Sequence, residues 1–134
     1  MDFSQLNFLA ILIAALSTFF VGGLWYSPLL FAKPWMKENK LSDEDLKEGN
    51  YFKIYGVTFL LALVIAINLS MFYGTEIDGA MGAFYGFLTG FGWVSMSVAT
   101  TYLFERKSLK LILINCGYHV VTYTIVGFIV GVWH

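Results

Sequence analysis

Charge is what this sequence has least of: 13% of its 134 residues are Asp, Glu, Lys or Arg, against about 25% in an ordinary soluble domain. So few ionic groups cannot solvate a globular surface, and a soluble monomer is excluded. A basic excess is missing too. Lys and Arg number 8 against 9 Asp and Glu, a net charge of −1, which leaves no cationic face for a phosphate backbone and no case for a nucleic-acid partner. Cysteine is reduced to Cys116, which excludes an intrachain disulfide. Neither CxxC nor HExxH occurs, so one chain makes a poor tetrahedral metal site, with Cys116 and His119 supplying two ligands at most. Acids are absent from the apolar runs. That removes a Ser, His and acid constellation, and with it the buried carboxylate common in proton-coupled exporters. No catalytic residue, no cofactor and no resident metal are expected, and the chain is not read as an enzyme.

What is present is hydrocarbon: 58% hydrophobic and 19% aromatic residues, with a mean hydropathy of +0.71. Runs at about 6–26, 52–73, 79–104 and 109–133 are each long enough for a hydrocarbon layer that needs about 20 residues at helical rise. They predict an all-α membrane protein, one integral domain over 1–134 built as a four-transmembrane-helix bundle, with a cytoplasmic loop at about 27–51. The leader MDFSQ is acidic and no small-residue cleavage site follows the first run. That run is therefore read as a retained helix rather than a signal peptide.

Basic residues set the orientation. Lys33, Lys37, Lys40, Lys47 and Lys53 lie between or beside the first two runs, and Arg106, Lys107 and Lys110 between the last two. The positive-inside rule makes both loops cytoplasmic and puts both termini outside the cytoplasm. The stretch GGLWYSPLLFAKPW, residues 22–35, then reads as the chain leaving the membrane. Trp25, Tyr26 and Trp35 sit at headgroup level, as Trp133 does at the opposite end, because amphipathic rings anchor helix ends there. Ser27 followed by Pro28 suits an N-cap and first helical position of a short interfacial helix. In LSDEDLKEGN, Ser42 and Asp45 stand at capping-box distance, and Gly49 or Asn50 suits a left-handed stop. Asp43, Glu44 and Asp45 also invite a metal or proton reading, but a helix N-terminus explains them with fewer assumptions.

Two further patterns lie inside the runs. Gly82, Gly86 and Gly90 recur every four residues, a stripe that continues through Trp93, Ser97 and Thr101, and Gly127 with Gly131 make a shorter version in the fourth run. Small residues at this spacing let another helix approach closely. That neighbour is either in the same chain or in a second copy, and the one-sided lysines favour a homo-oligomer of parallel subunits. The second pattern surrounds His119, near the middle of the fourth run. At 100° per residue Asn115 and Thr122 fall to one side of it, and Tyr123 and Cys116 to the other, all within about 60°. This polar face must meet protein or trapped water. Asn68 and Ser70 on the second run, and Thr89, Ser95, Ser97 and Thr100 on the third, are candidate partners. Two roles are open to His119: an interhelical hydrogen bond, or contact with a solute, proton or metal.

GGLWYSPLLFAKPW, LSDEDLKEGN and FERKSLKLILINCGYHVVTYTIVGFIVGVW together resemble a family of small bacterial membrane proteins catalogued as domain of unknown function 1761. The resemblance covers nearly the whole chain. It implies a compact four-helix domain in the bacterial inner membrane, and it brings no assigned activity and no catalytic residue. Two function classes follow. One is permeation or binding of a small solute or ion through the polar centre around His119. The other is a structural or regulatory membrane subunit whose glycine-striped helices dock a partner. The first is preferred, because packing explains only part of a membrane-buried polar face.

Overall fold

The computed structural model describes residues 3–134; Met1 and Asp2, which belong to the acidic leader, lie outside the described residues. The described chain is 80% helix and has no strand. A helix satisfies its own backbone donors and acceptors, which is what an apolar run needs where water is absent. The main elements are α1 (Phe8–Trp25), α2 (Ala32–Glu38), α3 (Asp43–Lys47), α4 (Tyr51–Tyr73), α5 (Gly79–Leu88), a π-helical segment (Thr89–Ser95), α6 (Met96–Phe104) and α7 (Leu109–Val132). By length and composition α1, α4 and α7 can cross a membrane.

Each long helical stretch begins at a side-chain cap. Asn7 accepts from the Ala10 N–H at 3.1 Å, Asn50 from Lys53 at 3.2 Å, Asp78 from Met81 at 2.8 Å and Ser108 from Leu111 at 3.1 Å. These caps satisfy donors that the first helical turn leaves free, each contributing about 1 kcal/mol. The short helix α3 has the full capping box: the Ser42 hydroxyl accepts from Asp45 N at 3.1 Å and the Asp45 carboxylate accepts from Ser42 N at 2.9 Å. Bonding from the Ser42 backbone, then from its side chain, holds the Asp45 carboxyl below its usual range. A lowered value means that the box's contribution is complete above the ordinary carboxylate pKa and is lost as the pH falls through the lowered one.

Two loop expectations are corrected. Ser27 and Pro28 do not open a helix: the Ser27 hydroxyl donates back to the Leu24 carbonyl, and the Ser27 carbonyl accepts from Leu30 and Ala32 in a turn. The helix begins at Ala32, and Pro34 rather than Pro28 occupies its first turn, where a missing N–H costs nothing. Gly49 and Asn50 make no left-handed stop either. Positive φ falls on Lys40, Arg106 and Gly74 among the described residues, and Asn50 instead caps α4.

Helix α7 is the hub. It packs against α1, α2, α4, α5, the π segment and α6. The core is made by Ile11 and Ala14 of α1, Ala66, Leu69 and Tyr73 of α4, and Val126 and Val130 of α7. Ala14 and Ala66 are wholly buried, and their small side chains let α1 and α4 lie close. Large apolar side chains such as Phe20, Phe52 and Phe104 point outward, as they do when lipid is the solvent. Although α4 and α5 both lean on α7, they make no extended contact with each other. A Tyr73–Tyr85 ring contact at 6.2 Å bridges them, beside an open cleft.

Candidate functional site

The glycines build the seam on which the site rests. A Cβ at Gly82 would fall on the Gly127 carbonyl oxygen, and one at Gly127 on that of Gly82; a Cβ at Gly86 would fall on the Tyr123 carbonyl oxygen. At Gly90 it would lie 2.9 Å from Tyr123 Cβ and 3.0 Å from the His119 oxygen, and at Gly131 2.7 Å from the Asp78 oxygen. The neighbour of the stripe is therefore α7 of the same chain. Tyr73 locks this seam by donating to the Gly82 carbonyl at 2.8 Å.

Beyond Gly90 the stripe does not continue through Trp93, Ser97 and Thr101. Those three side chains are exposed, Trp93 by 73%, whereas Ser95 is buried. The π segment inserts one extra residue, so the packed positions run 82, 86, 90 and then 95. The Ser95 hydroxyl sits at 2.7 Å from the Gly90 carbonyl five residues back and at 3.3 Å from the Cys116 carbonyl, and the Cys116 thiol donates to the Ser95 carbonyl at 3.4 Å. A π turn is rare and recurs at functional sites. Here it couples the third helical stretch, α5 through α6 over residues 79–104, to the part of α7 that carries His119.

Towards the Leu109 end of α7 the aromatic stretch 22–35 clasps the helix. The Trp25 indole donates to the Ile114 carbonyl at 2.9 Å, its ring lies where a Cβ on Gly117 would meet it at 2.8 Å, and it packs on Phe31. Tyr26 donates to Asn115 Oδ1 at 2.7 Å, and Asn115 Nδ2 donates to the Tyr102 hydroxyl at 3.0 Å. Trp35 meets the Tyr26 ring edge-on at 5.6 Å. Asn115 is thus occupied by two tyrosines, Tyr26 just after α1 and Tyr102 of α6, and does not face His119 as a partner. Trp133 caps the far end of α7 and is exposed.

A double-mutant cycle tests the Tyr26–Asn115 bond. Tyr26→Phe and Asn115→Leu are each expected to lower thermal stability in detergent, with a coupling of about 0.6 kcal/mol, the usual worth of such a bond between membrane helices. Strict additivity of the two losses would contradict the bond.

His119 lines a cavity of about 160 Å³ between α1, α4 and α7, together with Thr18, Thr58, Tyr118, Thr122 and Tyr123. Its ring packs on that of Tyr118, centroids 5.4 Å apart. Three of the five neighbouring hydroxyls are turned onto backbone: Thr122 onto the Tyr118 and His119 carbonyls at 2.9 and 3.1 Å, Thr18 onto Ala15 at 2.7 Å, and Tyr118 onto the Thr18 carbonyl at 3.3 Å. The imidazole makes no hydrogen bond among the described residues, and no wholly buried side-chain nitrogen among them lacks a partner. The ring nitrogens are therefore open to the space beside them. Of the two roles open to His119, an interhelical hydrogen bond is not made among the described residues.

Tyr123 borders this cavity and also the larger cleft between α4 and the third helical stretch. Asn68 and Thr89 line the cleft rather than His119's cavity; Asn68 is exposed and donates to Val64 of its own helix at 2.8 Å. Ser97 lies outside both. The structure thus brings His119, Thr122 and Tyr123 together and separates Asn115, Asn68 and Ser97 from them. Missed in the sequence were Thr18 and Thr58, whose hydroxyls sit in otherwise apolar runs, and Tyr118, adjacent to His119. No group of three or more His, Cys, Asp or Glu among the described residues is placed to hold a metal ion.

Among known proteins, the family model described as "Protein of unknown function (DUF1761)" matches residues 9–131. No curated protein and no solved structure matches the chain.

Proposed function

Since the chain belongs to the DUF1761 family of proteins of unknown function, we propose from its own residues that it is a four-crossing membrane protein that admits a small solute to the cavity at His119. The observation that carries this reading is the partnerless imidazole. A polar ring withdrawn from bulk water is costly unless something hydrogen-bonds it, and here that something must enter the cavity. At about 30 Å³ per liquid water molecule, such a cavity accommodates roughly five waters, or a solute of comparable size. The lining has hydroxyls and one imidazole but no carboxylate to balance a cation, so a small neutral hydrogen-bonding solute suits it better than a metal ion. Partner docking through glycine stripes loses its support, because those glycines pack inside the chain.

Besides α1, α4 and α7, the remaining crossing, third in chain order, is residues 79–104, where α5, the π segment and α6 follow one another without a break. That length reaches about 39 Å at helical rise, enough for the hydrocarbon layer. With four crossings, the basic loops on one side and the termini on the other, the orientation is testable directly. Reporters active only outside the cytoplasm are expected to work when fused after His134, and cytoplasm-dependent reporters near Asn39. The reverse pattern would overturn the orientation and move the bacterial inner-membrane assignment's cytoplasmic loop outside.

Binding is tested by titrating the protein, with His134→Gln so that one histidine remains, with formamide, urea and glucose while the imidazole NMR signals are followed. Formamide and urea are expected to shift the His119 signals saturably, and glucose to leave them in place. Equal response to all three, or none to any, would sink the reading.

A further inference from the structure

A second cavity, larger than the one at His119, does not belong to that site. A cleft of about 580 Å³ lies between α4 and the third helical stretch, with Tyr123 of α7 on its wall. That volume is in the range of sites for whole small molecules, several times what the His119 cavity holds. Most of its wall is hydrocarbon, from residues such as Leu69, Phe72 and Leu88. Phe72, Leu88 and Trp93 are at the same time exposed on the outside of the protein, so the cleft opens sideways, towards the acyl chains of a bilayer, rather than towards water.

Its polar groups are unevenly matched. Thr89 and Asn68 are turned onto their own helices. The Tyr85 and Tyr123 hydroxyls and the Trp93 indole N–H make no hydrogen bond among the described residues, so three donors line one cleft without a protein acceptor. No Asp, Glu, Lys, Arg or His lines it, which disfavours a charged head. The donors are also deep. Tyr85 is about 9 Å along the helix from Gly79, the nearer end of the continuous 79–104 stretch, and Tyr123 about 14 Å from the Val132 end of α7, at helical rise, below the level at which a phospholipid headgroup rests.

We propose that this cleft binds a neutral, lipid-soluble molecule that carries a carbonyl oxygen, entering sideways from the bilayer and accepting one or two hydrogen bonds from the donors Tyr85, Tyr123 and Trp93. Its hydrocarbon body lies along α4 and α5. The carbonyl satisfies donors that hydrocarbon leaves empty, so it is what distinguishes the ligand from bulk lipid.

The test uses the full chain in phosphatidylcholine vesicles with three photoreactive diazirine probes: a long-chain ketone, the matching hydrocarbon without the carbonyl, and a phosphatidylcholine bearing the diazirine in its acyl chain. Labelled positions are mapped by peptide mass spectrometry. The ketone is expected to label residues 64–73 and 85–93 roughly tenfold more than the exposed face at 52–61, the increment that one to two hydrogen bonds supply. The hydrocarbon and the phospholipid are expected to label all lipid-facing segments evenly. Equal enrichment with ketone and hydrocarbon would overturn carbonyl recognition, and equal enrichment with phospholipid would make the occupant ordinary bilayer lipid.

Tyr123→Phe and Tyr85→Phe are each expected to reduce the ketone enrichment roughly three- to tenfold. Thr89→Trp, which fills the cleft, should abolish it, with Asn68→Phe as the alternative filling if the first variant does not fold. His119→Leu should leave the labelling unchanged, so that failure here and failure at the smaller cavity remain separate results. Undiminished enrichment in a folded cleft-filling variant would also overturn the proposal.

Discussion

Gly82→Leu is expected to prevent the chain from accumulating as a folded species, and Gly82→Ala to lower its thermal stability well beyond an ordinary helix substitution. The reason is geometric. A Cβ at Gly82 would fall on the backbone oxygen of Gly127, with the Gly131 Cα 3.1 Å away. Neither obstacle is a side chain that can rotate aside, so α5 must part from α7. Overpacking commonly costs about 1–3 kcal/mol, occasionally more, and here it also draws the Gly82 carbonyl away from the Tyr73 hydroxyl, a further ~1 kcal/mol. Gly56 supplies the control, because a Cβ there meets nothing within 4 Å. Gly56→Ala should raise stability by up to about 1 kcal/mol through helix propensity alone. Thermal unfolding in detergent, read by circular dichroism, checks both. Equal effects at the two positions would mean that the seam is looser than described.

Replacing His119 separates a packing role from a site. An imidazole holding two helices together would cost about 0.5–2 kcal/mol when replaced by Leu. His119 makes no such bond among the described residues, so His119→Leu is expected to fold with stability unchanged or raised, since no hydrogen bond to the protein is lost and an apolar side chain replaces a polar ring. The same variant should lose small-solute binding by more than about tenfold, the effect of losing one or two hydrogen bonds to the solute. Gln retains a donor and an acceptor but cannot titrate near neutral pH. His119→Gln should therefore recover part of the binding while removing any dependence on pH that the imidazole confers. A Leu variant that is destabilised, yet binds as before, would return His119 to a packing role.

The start of α3 was legible because capping is local: Ser42 reaches the Asp45 N–H three residues on. Asn7, Asp78 and Ser108 cap the long runs in the same way but are not singled out in the sequence, Ser27 reads as a cap it does not make, and Asn50, assigned to the end of α3, opens α4 instead. Gly82, Gly86 and Gly90 were legible as a close-approach surface because period four lies near the helical repeat. The five-residue step to Ser95 was not, because it depends on the Cys116 carbonyl, twenty-one residues away, drawing the Ser95 hydroxyl inward. Trp25 and Tyr26 have the composition of headgroup anchors, and nothing local distinguishes an anchor from a clasp closed on Ile114 and Asn115. The polar face of α7 could be drawn from helical geometry alone. Its division into an occupied Asn115 and an unoccupied His119 could not, because Tyr26 and Tyr102 come from distant parts of the chain.

The central claim is that the His119 ring is bonded by what enters its cavity and not by the protein. It is tested most directly by NMR of ¹⁵N-imidazole in the His134→Gln protein in lipid bilayers, with magnetisation transfer from mobile water to the ring nitrogens. The account predicts transfer to His119, its suppression by formamide and urea, and its persistence in Tyr26→Phe, whose hydroxyl serves a separate network. A ring that receives nothing from water and is bonded to a protein oxygen would contradict it.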